Sequence, residues 1–284
     1  MQAVIRVAPT PRVSRWSLYA IEGIATAILV AAAGIYTLGV QHPASPLRTM
    51  LADPLLRRAA IGLAMGGTIA AIAYSPWGRR SGAHCNPALT FAFFRLGKVA
   101  RADLCGYVAA QFTGGLAGAL AVATLWRSAL ADPAVHWYVT VPGMPGIVAA
   151  FLAELLIPAA LLTAILHAMR SERWRPFTPV FAAAIVMLAI TFESPLSGAG
   201  LNPARSFATA AVSGIWSGLW IYFIAPVCGM LLAASAFTRG TIPCAKLVHD
   251  TGRPCQFLGC AFAGPALFRE APGRAPLLAH GGPS

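Results

Sequence analysis

The only two asparagines of this 284-residue chain occur in two copies of one motif. Residues 81–92 read SGAHCNPALTFA and residues 197–208 read SGAGLNPARSFA, so eight of the twelve aligned positions are identical. Asparagine is a strong helix N-cap, and proline suits the first helical position, where its missing N–H needs no partner. Each copy therefore predicts a short helix whose start carries an uncharged amide with two hydrogen-bond donors. The residues concerned are Asn86, Pro87, Ala88, Asn202, Pro203 and Ala204.

Hydrophobic residues dominate the rest of the chain and predict an all-α membrane protein. They make up 57% of it, and only 11% is charged, whereas roughly 25% of residues are charged in soluble domains. Apolar runs long enough to cross a bilayer recur six times, at residues 16–40, 57–75, 102–125, 146–169, 177–193 and 216–238. The segments after the two motif copies, residues 89–96 and 206–212, are too short to cross alone. They predict re-entrant half-helices that line a cavity.

The net charge of +12 is spread unevenly over the two sides of the predicted membrane. With both termini in the cytoplasm, sixteen of the 21 lysines and arginines lie on the cytoplasmic side, which is the positive-inside bias. The basic charge therefore indicates topology, and no nucleic-acid partner is expected. The first span is too long for a cleaved signal peptide. Together with the Ala-, Arg- and Pro-rich composition and the lack of targeting signals, this favours a multi-pass protein of the cell membrane, a bacterial inner membrane.

Two halves of the chain, residues 16–125 and 146–238, each contain three spans and one re-entrant loop. The loops enter from opposite faces, which predicts an inverted repeat. Each half carries one acid in its first span, Glu22 or Glu154, and a carboxylate in hydrocarbon is costly unless it finds partners. We expect these acids to accept hydrogen bonds from the buried loops, with Gln111 assisting, and a proton relay is the alternative. Glu193 could line an outer vestibule.

Two helix N-termini that face one lumen would place partial positive charge at its centre and repel cations. A water held through its oxygen by the amides of Asn86 and Asn202 points both hydrogens away, so it cannot relay a proton. Backbone carbonyls that precede the asparagine of each motif copy should provide acceptors along one wall, while the other walls are expected to be apolar. The carbonyls concerned belong to Gly82, Ala83, His84, Cys85, Gly198, Gly200 and Leu201.

Over about residues 16–238 the chain resembles the major intrinsic protein family, the aquaporins and their glycerol-conducting relatives. The resemblance rests on the two Asn-Pro-Ala motifs, the arginine after the second motif, the paired glutamates and Gln111. It implies six tilted helices around one pore, half-helices that meet at the bilayer centre, and a homotetramer in which each subunit has its own channel. No cofactor is implied, and the partners are the lipid bilayer, water and small uncharged solutes.

The resemblance also implies a selectivity filter. Arg205 is carried over as the filter arginine, a donor to permeating oxygens and a barrier to cations. The other positions fall on Ile190, on Ala199, and on Met65 or Gly66. A strictly water-selective filter has a histidine and an aromatic residue at the positions held here by Ile190 and by Met65 or Gly66. We therefore expect a wider, more apolar filter that passes polyols or metalloid hydroxides such as arsenite. Ser206, Ala210, Tyr222 and Phe223 instead match water-channel choices.

Two other function classes stay open beside the passive channel. One is an ion- or proton-coupled transporter built on broken helices, which would need coupling acids at the midplane. The other is a metal-sensing membrane protein that acts through its C-terminal tail. Nothing in the sequence supports an enzyme, because it shows neither a nucleophile–base set nor a phosphate-binding loop.

The chain divides into a cytoplasmic N-terminal segment at residues 1–15, the channel domain at residues 16–238 and a Pro- and Gly-rich tail at residues 239–284. The tail contains an unusual set of side chains. Cys244, His249, Cys255 and Cys260 have the spacing C-x4-H-x5-C-x4-C on the predicted cytoplasmic side. Three thiols and an imidazole are an ordinary ligand set for zinc or another soft metal. The alternative is three unrelated cysteines, one of them acylated near the membrane. Cys85, which precedes Asn86 in the first motif copy, could expose a thiol to the pore.

Overall fold

The computed structural model describes residues 14–237, 242–249, Cys255, Phe257 and Cys260. Most of the N-terminal segment expected at residues 1–15 and much of the tail therefore lie outside the described residues. The described part is helical, with eleven α-helices: α1 Arg15–Gln41, α2 Pro46–Met50, α3 Pro54–Tyr74, α4 Pro76–Ser81, α5 Pro87–Arg95, α6 Arg101–Leu130, α7 Ile147–Arg170, α8 Thr178–Leu188, α9 Ser194–Ser197, α10 Pro203–Ser213 and α11 Leu219–Ala236. The described part also contains two short 3₁₀ turns, His136–Tyr138 and Arg175–Phe177, and a π-helical turn at Ala189–Glu193.

Six stretches among the described residues are long and apolar enough to cross a membrane, as the sequence predicts. They are Arg15–Gln41, Pro54–Tyr74, Arg101–Leu130, Ile147–Arg170, Arg175–Ser197 and Leu219–Ala236. The all-helical fold class with six spans is confirmed. The third span, predicted to end at residue 125, has a kink with non-helical backbone angles at Trp126, and a further helical turn continues to Leu130. Large apolar side chains such as Ile24, Leu63 and Leu156 are exposed on the outside, as expected for a surface that contacts lipid.

The helices pack in pairs that recur in the two halves of the chain. Helix α1 packs along α6, α7 along α11, and α3 along α8. Small residues permit this close approach, since a Cβ at Gly114 would lie 2.0 Å from the carbonyl oxygen of Gly23. A Cβ at Gly229 would lie 2.1 Å from that of Leu155. Glycine at these positions is therefore a packing requirement, as in other membrane helix pairs.

The two half-helices are α5 and α10, and each packs against a long helix of the other half of the chain. Helix α5 contacts α11, and α10 contacts α6. Both begin directly at the proline of a motif copy, Pro87 or Pro203, with the asparagine as N-cap. This crossed packing brings the two motif copies to one place in the interior.

The fifth span, predicted at residues 177–193, changes its helix type along its length. Helix α8 gives way to a π-helical turn at Ala189–Glu193, and α9 follows it. Pro195 has no N–H with which to bond the carbonyl of Thr191, the residue four positions earlier. Arg58 Nε donates to that carbonyl instead, at 2.9 Å. The change has a local cause, and such π turns are frequent at functional sites.

Candidate functional site

Asn86 and Asn202 each cap their own half-helix and hold the loop of the other half. The Oδ1 atom of Asn86 accepts from the backbone N–H of Ala88 at 2.9 Å, and that of Asn202 accepts from Ala204 at 3.0 Å. Their Nδ2 atoms cross over: Asn86 donates to the carbonyl of Leu201 at 2.9 Å, and Asn202 donates to that of Cys85 at 2.7 Å. An amide nitrogen carries two hydrogens, so each asparagine keeps one donor for another partner.

The backbone before each asparagine follows the same left-handed path in both halves. Gly82, Ala83 and Cys85 have positive φ angles of 106°, 53° and 47°, and the corresponding angles in the second half are 82° at Gly198, 49° at Ala199 and 55° at Leu201. Residues with a side chain pay roughly 1–2 kcal/mol each in this conformation. Such a path persists only where the surroundings hold it.

The two buried glutamates hold these loops. Glu22 accepts from the backbone N–H groups of His84 at 3.0 Å and Cys85 at 2.7 Å, and from Gln111 Nε2 at 2.9 Å. Glu154 accepts from the backbone N–H groups of Gly200 and Leu201, both at 2.6 Å. Because the carboxylate oxygens are occupied by fixed loop groups, this geometry supports the loop-holding interpretation over a proton relay.

Each half has two further residues that support its loop, a serine and a tyrosine, and the sequence did not predict these roles. Ser81 Oγ donates to Glu22 at 2.7 Å, and Ser197 Oγ donates to Glu154 at 2.6 Å. Tyr107 donates to the carbonyl of Ser81, and Tyr222 donates to the carbonyl of Ser197. The two serines open the repeated motif, and that repetition was the available signal for them. The tyrosines lie on other helices; Tyr222 had been noted only as a match to water channels, and nothing in the sequence indicated Tyr107.

A cavity of about 280 Å³ passes both motifs and contains most of the predicted site residues. One end is bordered by Gln41 and Arg58, where helix α1 ends and α3 begins, and the other by Ile72 and Leu247. Apolar side chains from α1, α3, α7 and α8 form most of the wall. The predicted site residues along it are Met65, Ala83, His84, Cys85, Asn86, Ile190, Gly198, Ala199, Gly200, Leu201, Asn202 and Arg205.

Arg205 offers the cavity an unpaired donor. Its Nη1 atom is buried and has no hydrogen-bond partner within the part of the chain that the structure describes. The guanidinium is always charged and has five donors. An oxygen atom that enters the cavity can satisfy this group.

Three of the positions expected to face the passage lie elsewhere. Gly66 packs against α8, where a Cβ would come 3.0 Å from the carbonyl oxygen of Ala183, so Met65 is the residue of this pair that lines the cavity. The carbonyl of Gly82 accepts from the backbone N–H of Leu247 at 3.4 Å. Glu193 is buried and hydrogen-bonded to Ser197, away from the cavity wall, so its expected place in a vestibule was wrong. The carbonyls of Cys85 and Leu201 are already taken by the crossed amides.

Residues 242–249 return to the channel body and cover the end of the cavity opposite Arg58. Leu247 lines the cavity, and Ile242, Cys244 and Ala245 are buried in the same apolar cluster as Phe93 of helix α5. His84 Nε2 lies 2.8 Å from the carbonyl oxygen of Ala245. The sequence suggested a separate tail after residue 238, and it contained no signal for this contact.

The four predicted tail ligands come together in space. One ligand atom from each of Cys244, His249, Cys255 and Cys260 lies within 4.8 Å of all the others. The hydrogen bond that Cys244 gives to Cys255 lowers the pKa of the Cys255 thiol. Burial lowers the pKa of His249, but its hydrogen bonds to Cys255 and Cys260 outweigh this and raise it to about 9. The same contacts raise the pKa of the Cys244 thiol, so the metal-free cluster favours one thiolate, on Cys255, beside a protonated His249, and a metal ion would have to displace these protons.

Comparisons with known proteins agree with this architecture. The family model "Major intrinsic protein" matches residues 10–237. Aquaporin NIP2-2 of Zea mays is 30% identical over 200 residues, covering 68% of this chain and 64% of that protein. Aquaporin NIP6-1 of Arabidopsis thaliana is 29% identical over 236 residues, covering 83% of this chain and 72% of that protein.

A solved structure shares the fold. The X-ray structure of the aquaglyceroporin from Plasmodium falciparum superposes with a TM-score of 0.64 at 20% identity, covering 80% of this chain and 96% of that one. These similarities carry no information about source, and the named relatives above are plant proteins, so bacterial origin stays a prediction. The family model covers most of the chain and coincides with its six spans, and the chain belongs to the major intrinsic protein family.

Proposed function

We propose that this protein is a passive transmembrane channel for water and small uncharged solutes. Members of its family are channels and not enzymes, which confirms the expectation that it has no catalytic activity, and they need no cofactor. The crossed amides of Asn86 and Asn202 carry the proposal. They leave two uncharged donors beside an apolar cavity, which suits a molecule that passes without binding tightly.

Charge exclusion follows from the same geometry. Helices α5 and α10 both begin at the crossed asparagines, so their positive dipole ends repel cations at that point. Arg205 adds a full positive charge along the wall. A water whose oxygen accepts from both asparagines points its hydrogens away from them and cannot pass a proton along a file, and the positive half-helix ends and Arg205 add an electrostatic barrier to protons. Flux is therefore expected to be electrically silent.

The filter residues support a broad range of solutes. The cavity that Arg205 lines also receives the apolar side chains of Met65, Ile190 and Ala199. One side of the passage therefore donates hydrogen bonds, and the other sides are apolar. Polyols and neutral metalloid hydroxides such as arsenous acid have this mixed character. The aquaporin and aquaglyceroporin names of the similar proteins point in the same direction.

The assembly and membrane placement belong to the same proposal. We expect a homotetramer in the cell membrane with both termini in the cytoplasm. The exposed apolar faces of α1, α3 and α7 are available to lipid and to neighbouring subunits. Crosslinking in native membranes tests the tetramer.

Reconstitution into liposomes tests the function. Stopped-flow light scattering should show rapid volume changes under gradients of sorbitol, glycerol, urea and arsenous acid, and none of these should depend on a pH gradient. Planar bilayers with the same protein should show no current. Currents that scale with voltage, or fluxes that follow the proton gradient, would instead support the coupled-transporter alternative.

A further inference from the structure

The tail segment 242–249 forms a cover over one mouth of the cavity. The Ala245 carbonyl meets His84, the Leu247 N–H meets the carbonyl of Gly82, and apolar side chains of the segment pack into the channel body. None of these described residues belongs to a helix or strand. A segment without regular structure is held by such side-chain contacts alone, so a bound ion that joins two of its residues to the chain beyond would add to its order.

The Cys/His cluster is joined to this cover. Cys244 and His249 lie within the segment, while Cys255 and Cys260 come from the chain beyond it. The Sγ atoms of Cys244 and Cys255 are 3.2 Å apart, and His249 Nε2 is 3.1 Å from the Sγ of Cys260. The ligand–ligand edge of a tetrahedral zinc site with thiolates is about 3.8 Å. The observed separations, from 3.1 Å to 4.8 Å, bracket that value.

Neighbouring side chains link the cluster to the mouth. Phe257, between the last two cysteines, is buried, and its ring lies 6.2 Å from the ring of His84. The Nζ atom of Lys246 lies 5.8 Å from the centre of the same ring. A metal that draws Cys255 and Cys260 towards Cys244 thus also seats Phe257 against His84, a residue of the first motif copy.

We propose that a soft divalent cation such as Zn²⁺ binds Cys244, His249, Cys255 and Cys260, and that the bound ion clamps residues 242–249 across the mouth and closes the channel. The proposal rests on the channel function proposed above. Metal removal frees the segment, Leu247 leaves the cavity, and permeability rises. Coupling of this kind between metal binding and local folding is general for small sites without an apolar core of their own.

The test measures metal content and permeability separately in the full-length protein. Zinc per chain is measured by elemental analysis after purification without chelators, and water permeability is measured in proteoliposomes that are zinc-loaded or treated with a strong chelator. About one zinc per chain is expected. Chelation should raise permeability about tenfold, which corresponds to a bias of about 1.4 kcal/mol towards the closed state.

Three variants separate the steps of the argument. Cys255→Ser should lose the zinc and stay permeable with or without it, whereas Cys228→Ser, an exposed cysteine of α11, should behave as the native protein. Leu247→Ala keeps all four ligands, so it should bind zinc normally but close less completely. This last variant distinguishes a cover over the mouth from a metal site that acts elsewhere.

Several outcomes would overturn the proposal. Absence of bound zinc would do so, as would a Cys244–Cys255 disulfide in protein purified under reducing conditions. Zinc that binds without changing permeability would remove the gate while leaving the channel intact. A protein that stays impermeable after chelation, and also in the Cys255→Ser and Leu247→Ala variants, would count against the channel function itself, while the zinc measurement would still decide the metal site.

Discussion

The side-chain amide of Asn86 binds the carbonyl of Leu201, and that of Asn202 binds the carbonyl of Cys85, so each half of the chain holds the other half's loop. The two distances, 2.9 Å and 2.7 Å, are nearly equal. This reciprocity turns two short half-helices into one unit. It also fixes where their positive ends meet, and the exclusion of cations depends on that position.

The crossed amide can be tested with Asn202→Asp. The new carboxylate keeps the helix cap but loses the Nδ2 donor to the Cys85 carbonyl, and it adds a negative charge beside the cavity. We expect water flux to fall about tenfold or more, since the loop loses a bond and gains a repulsion together worth at least 1–3 kcal/mol. Cation leak should rise. Stopped-flow scattering and a potential-sensitive dye measure the two effects, and unchanged flux with no leak would contradict the role given to this asparagine.

The loop-holding role of Glu154 predicts a stability effect. In Glu154→Gln, an amide NH₂ replaces one carboxylate oxygen and meets the N–H groups of Gly200 and Leu201 or the hydroxyl of Ser197. Because hydrogen bonds to charged groups contribute about 1.5–3 kcal/mol each, the variant should aggregate at a lower temperature in detergent. Fluorescence-detected size exclusion after heating measures this. Glu172→Gln, in the short loop after α7, is the control. A variant that is stable but sensitive to a proton gradient would revive the relay alternative.

The filter assignment predicts a change in selectivity. Met65→Phe combined with Ile190→His should narrow the passage beside Arg205 and reduce glycerol and arsenous acid flux more than water flux. Relative permeabilities from one liposome preparation give the ratio directly. Gly66→Phe places the same side chain at the neighbouring position for comparison. Its side chain would meet the backbone of Ala183, so we expect this variant to lose folded protein without a change in the ratio of glycerol to water permeability. Equal loss of every flux in the double variant would show that the filter lies elsewhere.

Glu193 and Glu154 share one serine hydroxyl. Ser197 Oγ lies within hydrogen-bond reach of Oε1 of both acids, yet a hydroxyl has one hydrogen to donate. Glu154 also accepts two backbone N–H groups and is the better place for a negative charge, so Glu193 is expected to carry a proton and donate to Ser197. Glu193→Gln should therefore keep folding and flux close to native values.

Ser197→Ala is the contrasting change, because it removes a partner from both acids and from the loop that precedes Asn202. We expect it to lower thermal stability in the same size-exclusion assay. If Glu193→Gln proved the more damaging of the two, Glu193 would have to act as an anion, and the shared-proton arrangement would be excluded.

The sequence by itself determined the class of fold and the central motif. Span length, apolar composition and the positive-inside bias are properties of local stretches. The repeated Asn-Pro-Ala and the paired glutamates indicated the inverted repeat. Because each half has one acid in its first span and one re-entrant loop, the sequence alone predicted that Glu22 and Glu154 hold the loops.

Only the tertiary structure decided the relationships between distant segments. The choice of Met65 over Gly66 depends on which face of α3 meets α8, and a helix register uncertain by one residue turns that face by about 100°. The carbonyl of Thr191 that Pro195 leaves open in the π turn is bound by Arg58, more than a hundred residues earlier, and the sequence contained no sign of that contact. The contact of Ala245 with His84 comes from a segment with no periodic pattern, so no local feature of the sequence indicated that the tail meets the cavity. The spacing of Cys244, His249, Cys255 and Cys260 suggested a ligand set, but only the fold placed that set beside the mouth.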